Sequence, residues 1–178
     1  MMAAAEMVAK YYEGIKWKLV EELMEEVSRR LGDWFARGEM YINNTTNEPG
    51  YAFFFKEGEK EKESPKFWCA WENRECLFVG VNSGDGFLKK FGANKFKKWR
   101  DQYWDDQEKK DWEKDDYCPW PLRKWINSEG ETWDGQLLDR IISQRSDDRE
   151  NVISEIVRAL NDLHEIISKF WEYERVKK

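Results

Sequence analysis

The sequence predicts an α+β fold, a small antiparallel sheet of about three strands packed against long N- and C-terminal helices, with a Trp-rich helical insert. Three observations carry that expectation. Apolar residues recur at three- and four-residue steps at both ends of the chain, short strand-like runs lie between residues 51 and 82, and a charged, Trp-studded stretch follows them.

The N-terminal helix is expected over residues 1–38. Val8, Tyr12, Ile15, Leu19, Leu23, Val27, Leu31 and Trp34 fall on one stripe, Gly14 weakens the helix locally, and Gly32 or Gly38 ends it. Turn formers over residues 43–50 then make a loop. The sheet is expected within 51–82, with strands at 51–55, 67–71 and 76–81. The mixed charges of residues 56–66 form a solvated loop between the first two. Glu72-Asn73-Arg74-Glu75 is short enough for an antiparallel hairpin between the second and third. Cys76-Leu77-Phe78-Val79-Gly80-Val81 has no polar face, which marks it as the central strand covered on both sides.

The insert is expected over residues 87–145. Phe87, Leu88, Phe91, Phe96, Trp99 and Tyr103 return to helical spacing, Pro119 and Pro121 break regular structure, and Thr132 caps a helix over 133–143. The last helix is expected over 147–175, opened by Ser146-Asp147-Asp148. Its Ile153, Ile156, Leu160, Leu163, Ile167 and Phe170 are spaced three, four, three, four and three. The chain reads as a single domain of 178 residues, and the terminal helices are the obvious cover for one another.

Composition excludes more than it selects. With 30 Lys and Arg against 36 Asp and Glu, the net charge of −6 is the wrong sign for a general nucleic-acid binder. Aromatics at 16% argue for a folded core rather than disorder. Residues 1–8 carry no signal-peptide pattern, and no apolar run approaches the roughly 18–20 residues that span a bilayer. Cys69, Cys76 and Cys118 are an odd number without motif spacing, which fits reduced thiols in a cytoplasmic protein with no membrane contact.

Candidate chemistry is sparse. Gly80-Val81-Asn82-Ser83-Gly84-Asp85-Gly86 passes from a strand into a helix, where phosphate-cradling loops sit. Ser83, Gly84, Gly86, Lys89 and Lys90 are the residues that would hold an anion there. The glycine spacing matches neither the dinucleotide nor the Lys-bearing nucleotide loop, so a turn needing glycine explains it as well. Six cations from Lys89 to Arg100 are followed by Asp101, Asp105, Asp106, Glu108, Asp111, Glu113, Asp115 and Asp116, with Trp99, Tyr103, Trp104 and Trp112 interleaved. The basic block suits nucleic acid. The acidic block suits a partner's basic groove, and solvated helix faces explain both.

A metal-dependent nuclease needs acids on adjacent strands plus a Lys, but the one Glu-x-Lys, Glu108-Lys109-Lys110, lies off any expected strand, and Glu72 lacks a companion. His164 stands one position off the apolar seam of the last helix, a structural placement. Cys69 and Cys76 are expected in the core. Trp68 and Trp71 alternate across one strand, so one of them leaves the principal core unless both faces are covered. No metal or cofactor site is expected.

Residues 117–125, Tyr117-Cys118-Pro119-Trp120-Pro121-Leu122-Arg123-Lys124-Trp125, are followed by Trp133, Leu137-Leu138 and the Ile-rich last helix. Over residues 67–170 this resembles the C-terminal region of PD-(D/E)XK nuclease-superfamily proteins of phages and bacterial defence loci. The catalytic half of that family has no counterpart here, so the resemblance implies context rather than activity. The expectation is a non-enzymatic acidic interaction protein, a phage-encoded inhibitor that covers the basic surface of a bacterial immune complex. Its partner-binding residues would be Asp101, Trp104, Asp105, Asp106, Glu108, Asp111, Trp112, Asp115, Asp116 and Trp120. A nucleotide- or nucleic-acid-binding protein using the turn at 83–90 is the alternative, and the chain is expected as a monomer or homodimer.

Overall fold

A computed structural model describes residues 2–42, 49–56, 66–72, 76–82, 88, 92–103, 112–113, 120–126 and 146–176. In chain order the described elements are α1 (Met2–Arg30), β1 (Phe35–Ile42), β2 (Pro49–Phe55), β3 (Lys66–Glu72), β4 (Cys76–Val81), α2 (Ala93–Tyr103), β5 (Trp112–Glu113), β6 (Leu122–Trp125) and α3 (Ser146–Val176).

The class is α+β, but the sheet has six strands rather than about three. Their order is β1-β2-β3-β4-β6-β5 and every pairing is antiparallel. Three strands escaped the sequence for physical reasons. Phe35-Ala36-Arg37-Gly38-Glu39-Met40-Tyr41-Ile42 alternates poorly and its register shifts between Phe35 and Arg37, so β1 reads as the tail of the helix. Hence α1 ends at Arg30 rather than near residue 38. β6 is Leu-Arg-Lys-Trp, which has no apolar run, and β5 is only two residues long. β6 pairs along the edge of β4 and β5 adds to β6, so what was expected as a helical insert contributes two strands as well as α2.

The central part follows the expected pattern. Glu72 pairs with Cys76 at the end of an antiparallel β3–β4 ladder. β4 lies between β3 and β6, and Leu77, Phe78, Val79 and Val81 are all buried. β2 begins at Pro49, inside the stretch expected as loop; residues 43–48, 57–65 and the helix expected over 133–143 lie outside the described residues.

One sheet face carries the main core. Tyr51, Phe53, Phe55, Phe67, Cys69, Leu77, Val79, Val81 and Leu122 pack there under α1, α2 and α3. From α3 come Val152, Ile153, Ile156, Leu160, Leu163, Ile166, Ile167 and Phe170, a stripe wider than a two-stranded seam. At its start, Arg30 at the end of α1 pairs with Glu26 and with Glu150 in the first turns of α3. The hydrogen bond from Arg30 holds the Glu150 carboxyl below its ordinary range. α1 departs from the single stripe expected of it. Its buried residues are Val20, Leu23, Met24 and Val27, whereas Ile15 is 44% exposed.

Trp34 fills the corner after α1. Its ring stacks on His164 at 4.8 Å, and its indole N–H donates to Asn161 Oδ1 at 2.9 Å. His164 is thus held between Trp34 and Phe55 as a structural side chain. Cys69 is fully buried, and burial pushes its thiol pKa up, so no nucleophile is presented there. No described helix is long and apolar enough to cross a membrane.

Two close approaches depend on glycine. Gly38 leaves room for the Tyr51 ring, and Gly80 lets β6 approach β4. A β-carbon on Gly80 would lie 2.9 Å from the Leu122 carbonyl oxygen and 3.2 Å from Arg123 Cβ. Gly80→Ala is therefore expected to cost about 1–3 kcal/mol, by forcing backbone apart in a packed sheet. Urea unfolding measures this, and an unchanged midpoint would mean that β6 is not seated on β4 as described.

Candidate functional site

α2 is built on Phe96, Trp99, Arg100 and Tyr103, a helical three-and-four spacing that lays it against the C-terminal half of α3. Phe96 meets Phe170 at 5.3 Å, Trp99 meets Phe170 at 5.3 Å and Tyr103 meets Tyr173 at 5.2 Å between ring centroids. That packing pulls Arg100 inside, where it is 2% exposed. Its Nη1 donates to the Pro121 carbonyl at 2.7 Å, while Nε and Nη2 donate to Asp101 Oδ1 at 2.9 and 2.8 Å. A guanidinium presents donors in a fixed fork, so one buried side chain ties the end of α2 to the backbone at Pro121.

Arg100 thereby links the side chain of one expected partner-binding residue, Asp101, to the backbone next to another, Trp120. Asp101 keeps half of its side chain in solvent at 50% exposure. Trp120, the neighbour of Pro121, is half-buried on the second face of the sheet. There it meets Phe78 edge-on at 4.8 Å and Trp68 at 6.4 Å, over Ala52 and Phe54. Trp125, also half-buried, meets Phe78 at 5.6 Å. So Trp68 does leave the principal core, into a second aromatic cluster.

Cations border that cluster. Arg37 and Lys66 lie 4.4 and 4.9 Å from the Phe54 ring centre, and Arg123 lies 4.6 Å from that of Trp125. Arg37 also pairs with Glu39 at 3.3 Å, and Arg123 with Glu113 at 2.9 Å. These charges are shared between rings and carboxylates instead of standing as an open phosphate-binding row.

The remaining expected residues divide sharply. Trp112 is 6% exposed and belongs to the main core, so its ring fills the interior at the sheet edge instead of facing a partner. Trp104, Asp105, Asp106, Glu108, Asp111, Asp115 and Asp116 lie outside the described residues, as do Ser83, Gly84, Gly86, Lys89 and Lys90. Arg100 is the linking residue that charge counting missed, because it closes a run of six cations. Its position four after Phe96 and one after Trp99 is the signal that could have placed it on the buried seam.

Among the described residues no three His, Cys, Asp or Glu side chains group to hold a metal ion. Ser168 Oγ lies 3.4 Å from His164 Nε2, one helical turn away, with the imidazole stacked against Trp34. A hydrolytic nucleophile also needs an open reacting face and an oxyanion hole, and this packed pair sits on a helix flank. The fold and site thus define an α+β protein whose second sheet face carries an aromatic cluster joined to an acidic helix end by a buried arginine. No protein-family model, curated protein or solved structure matches the chain.

Proposed function

We propose that this chain is a non-enzymatic acidic binding protein that covers a basic surface on a protein partner. The observation that carries the reading is the Asp101–Arg100–Pro121 connection, which holds a solvent-facing carboxylate and the half-buried Trp120 in a fixed relation. Aromatic side chains are enriched among affinity-determining contacts, while exposed charge mainly sets encounter rate. The net charge of −6 favours a basic partner. Nucleic acid is the weaker reading, since the cations of the second sheet face are engaged by rings and carboxylates. The resemblance of residues 67–170 to phage and bacterial-defence proteins supports a bacterial immune complex as the partner, with this chain as a phage-encoded inhibitor in the host cytoplasm.

The test is capture from bacterial lysate at low and moderate salt, using wild type, Trp120→Ala and Asp101→Asn. A specific basic partner is expected, bound more slowly as salt rises. Trp120→Ala should weaken it about thirtyfold, the size of a 2 kcal/mol hot spot, and Asp101→Asn a few-fold. Circular dichroism checks that both variants fold. Equal capture by wild type and Trp120→Ala, or binding of labelled DNA or RNA in place of any protein, would overturn the reading.

A further inference from the structure

The two ends of the sheet are built differently. At one end β5 is two residues long, which leaves little backbone for another strand to join. At the other end β1 runs eight residues, the longest of the described strands, and among the described residues its one strand partner is β2. Folded proteins commonly blunt such an edge with Pro, Lys or a bulge. β1 contains neither Pro nor Lys, and its register shift is confined to its start, between Phe35 and Arg37. A long edge of this kind presents backbone N–H and C=O groups that an added extended strand can satisfy. The charged residues of β1 are Arg37 and Glu39, which lie on the second sheet face opposite Phe54 and Ala52 and pair with each other at 3.3 Å. Gly38, between them, lies on the core face against the Tyr51 ring.

We propose that β1 is a self-association edge, to which β1 of a second copy of this chain adds antiparallel with Gly38 facing Gly38. Sheet geometry and charge select that register. Two sheets that join with their helices on the same side are related by an axis perpendicular to the sheet. Opposed residues then share a face, so the axis passes through one residue and its copy. A centre at Arg37 sets Arg37 against Arg37, and a centre at Glu39 sets Glu39 against Glu39. Centres nearer either end of β1 shorten the shared ladder to five residues or fewer. The centre at Gly38 sets Arg37 against Glu39 of the other copy, and does so twice. Cβ atoms opposed in this way stand about 4.5–5.5 Å apart, close enough for the charges to meet. Each Arg37 then lies between two carboxylates, its own Glu39 and that of the second copy, in a ring of alternating charge. Gly38 facing Gly38 leaves no side chain on the core face at the centre of the seam. Asp33 precedes β1, Lys56 follows β2 and Lys66 is on β3, so none of these charges lies on the seam. The seam joins at most seven residues of each copy, less than a standard stable interface, so the dimer is weak and forms at micromolar or higher concentration.

Sedimentation equilibrium on the full chain, from about 1 μM to 1 mM, covers the concentration scale of such a complex. A reversible monomer–dimer equilibrium is expected. Arg37→Glu sets carboxylates against each other across the seam and Glu39→Arg sets guanidiniums against each other, so each should raise the dissociation constant about tenfold or more. The double variant Arg37→Glu/Glu39→Arg exchanges the two charges and should return to within about threefold of wild type. Mixing the two single variants should give a heterodimer tighter than either homodimer. Both side chains are half-exposed in the monomer, so circular dichroism should find all three variants folded. Should one single variant fail to fold, the other and the double variant carry the test. A monomer at every concentration, a dimer indifferent to the single charge reversals, single variants that do not pair when mixed, or a folded double variant that stays monomeric would each overturn the proposal.

Discussion

Leu160→Asp is expected to unfold the protein. Leu160 is 0% exposed, midway along α3 and within the core shared with α1 and the sheet. Leucine truncations at such sites already cost about 2–5 kcal/mol through lost burial and the cavity left behind. A carboxylate there would sit within an apolar cluster and must either be protonated or draw in water, which adds several kcal/mol. Single domains have about 5–15 kcal/mol in total, so this one change removes most or all of it. Circular dichroism and urea unfolding should show loss of cooperative structure at neutral pH, whereas Leu160→Met should cost less than about 1.5 kcal/mol. A folded Leu160→Asp variant that only changes oligomeric state would mean that α3 is an interface rather than the floor of the core.

How far the sequence carried depended on whether an element's own residues or its neighbours decide its state. α3 was legible almost to the residue, because Ile153, Ile156, Leu160, Leu163, Ile167 and Phe170 all face one apolar layer and every spacing agrees. β4 was legible because it is covered on both faces, so none of its positions is polar. β6 was not, since its Leu-Arg-Lys-Trp becomes a strand through pairing with Phe78, Val79, Gly80 and Val81. Such tertiary override leaves no local pattern. In α1 the apolar spacing was read correctly as helical but assigned to one stripe, because two faces shifted by half a turn overlap when only three- and four-residue steps are counted. The site was legible in Asp101 and Trp120 as residue types. Their connection was not, since it runs through Arg100, the one buried cation among the described members of its six-cation run.

That connection gives the second large expectation. Arg100→Met should cost about 1–3 kcal/mol and release the Trp120 turn. The guanidinium is 2% exposed while its acidic partner Asp101 is 50% exposed, so the two ends of the ion pair respond differently to its loss. Asp101 can return to water at little cost. The Pro121 carbonyl loses a 2.7 Å donor in a buried setting, and an abandoned buried acceptor carries its desolvation penalty in full. Methionine fills much of the arginine stem's volume and removes the cost of desolvating a charge, which keeps the loss moderate instead of catastrophic. Stability alone would not separate this role from ordinary packing. The discriminating readout is the indole N–H resonance of Trp120, assigned by its loss in Trp120→Phe. It should shift or broaden in Arg100→Met and stay in place in Asp101→Asn, whose amide oxygen still accepts from Arg100. Arg100→Lys should recover part of the stability but little of the Trp120 resonance position, because a single ammonium cannot reproduce the fork that reaches Pro121 and Asp101 together. If the Trp120 resonance is unmoved in Arg100→Met, the segment is held by Pro121 and by the contact of Trp120 with Phe78, and Arg100 only fills space.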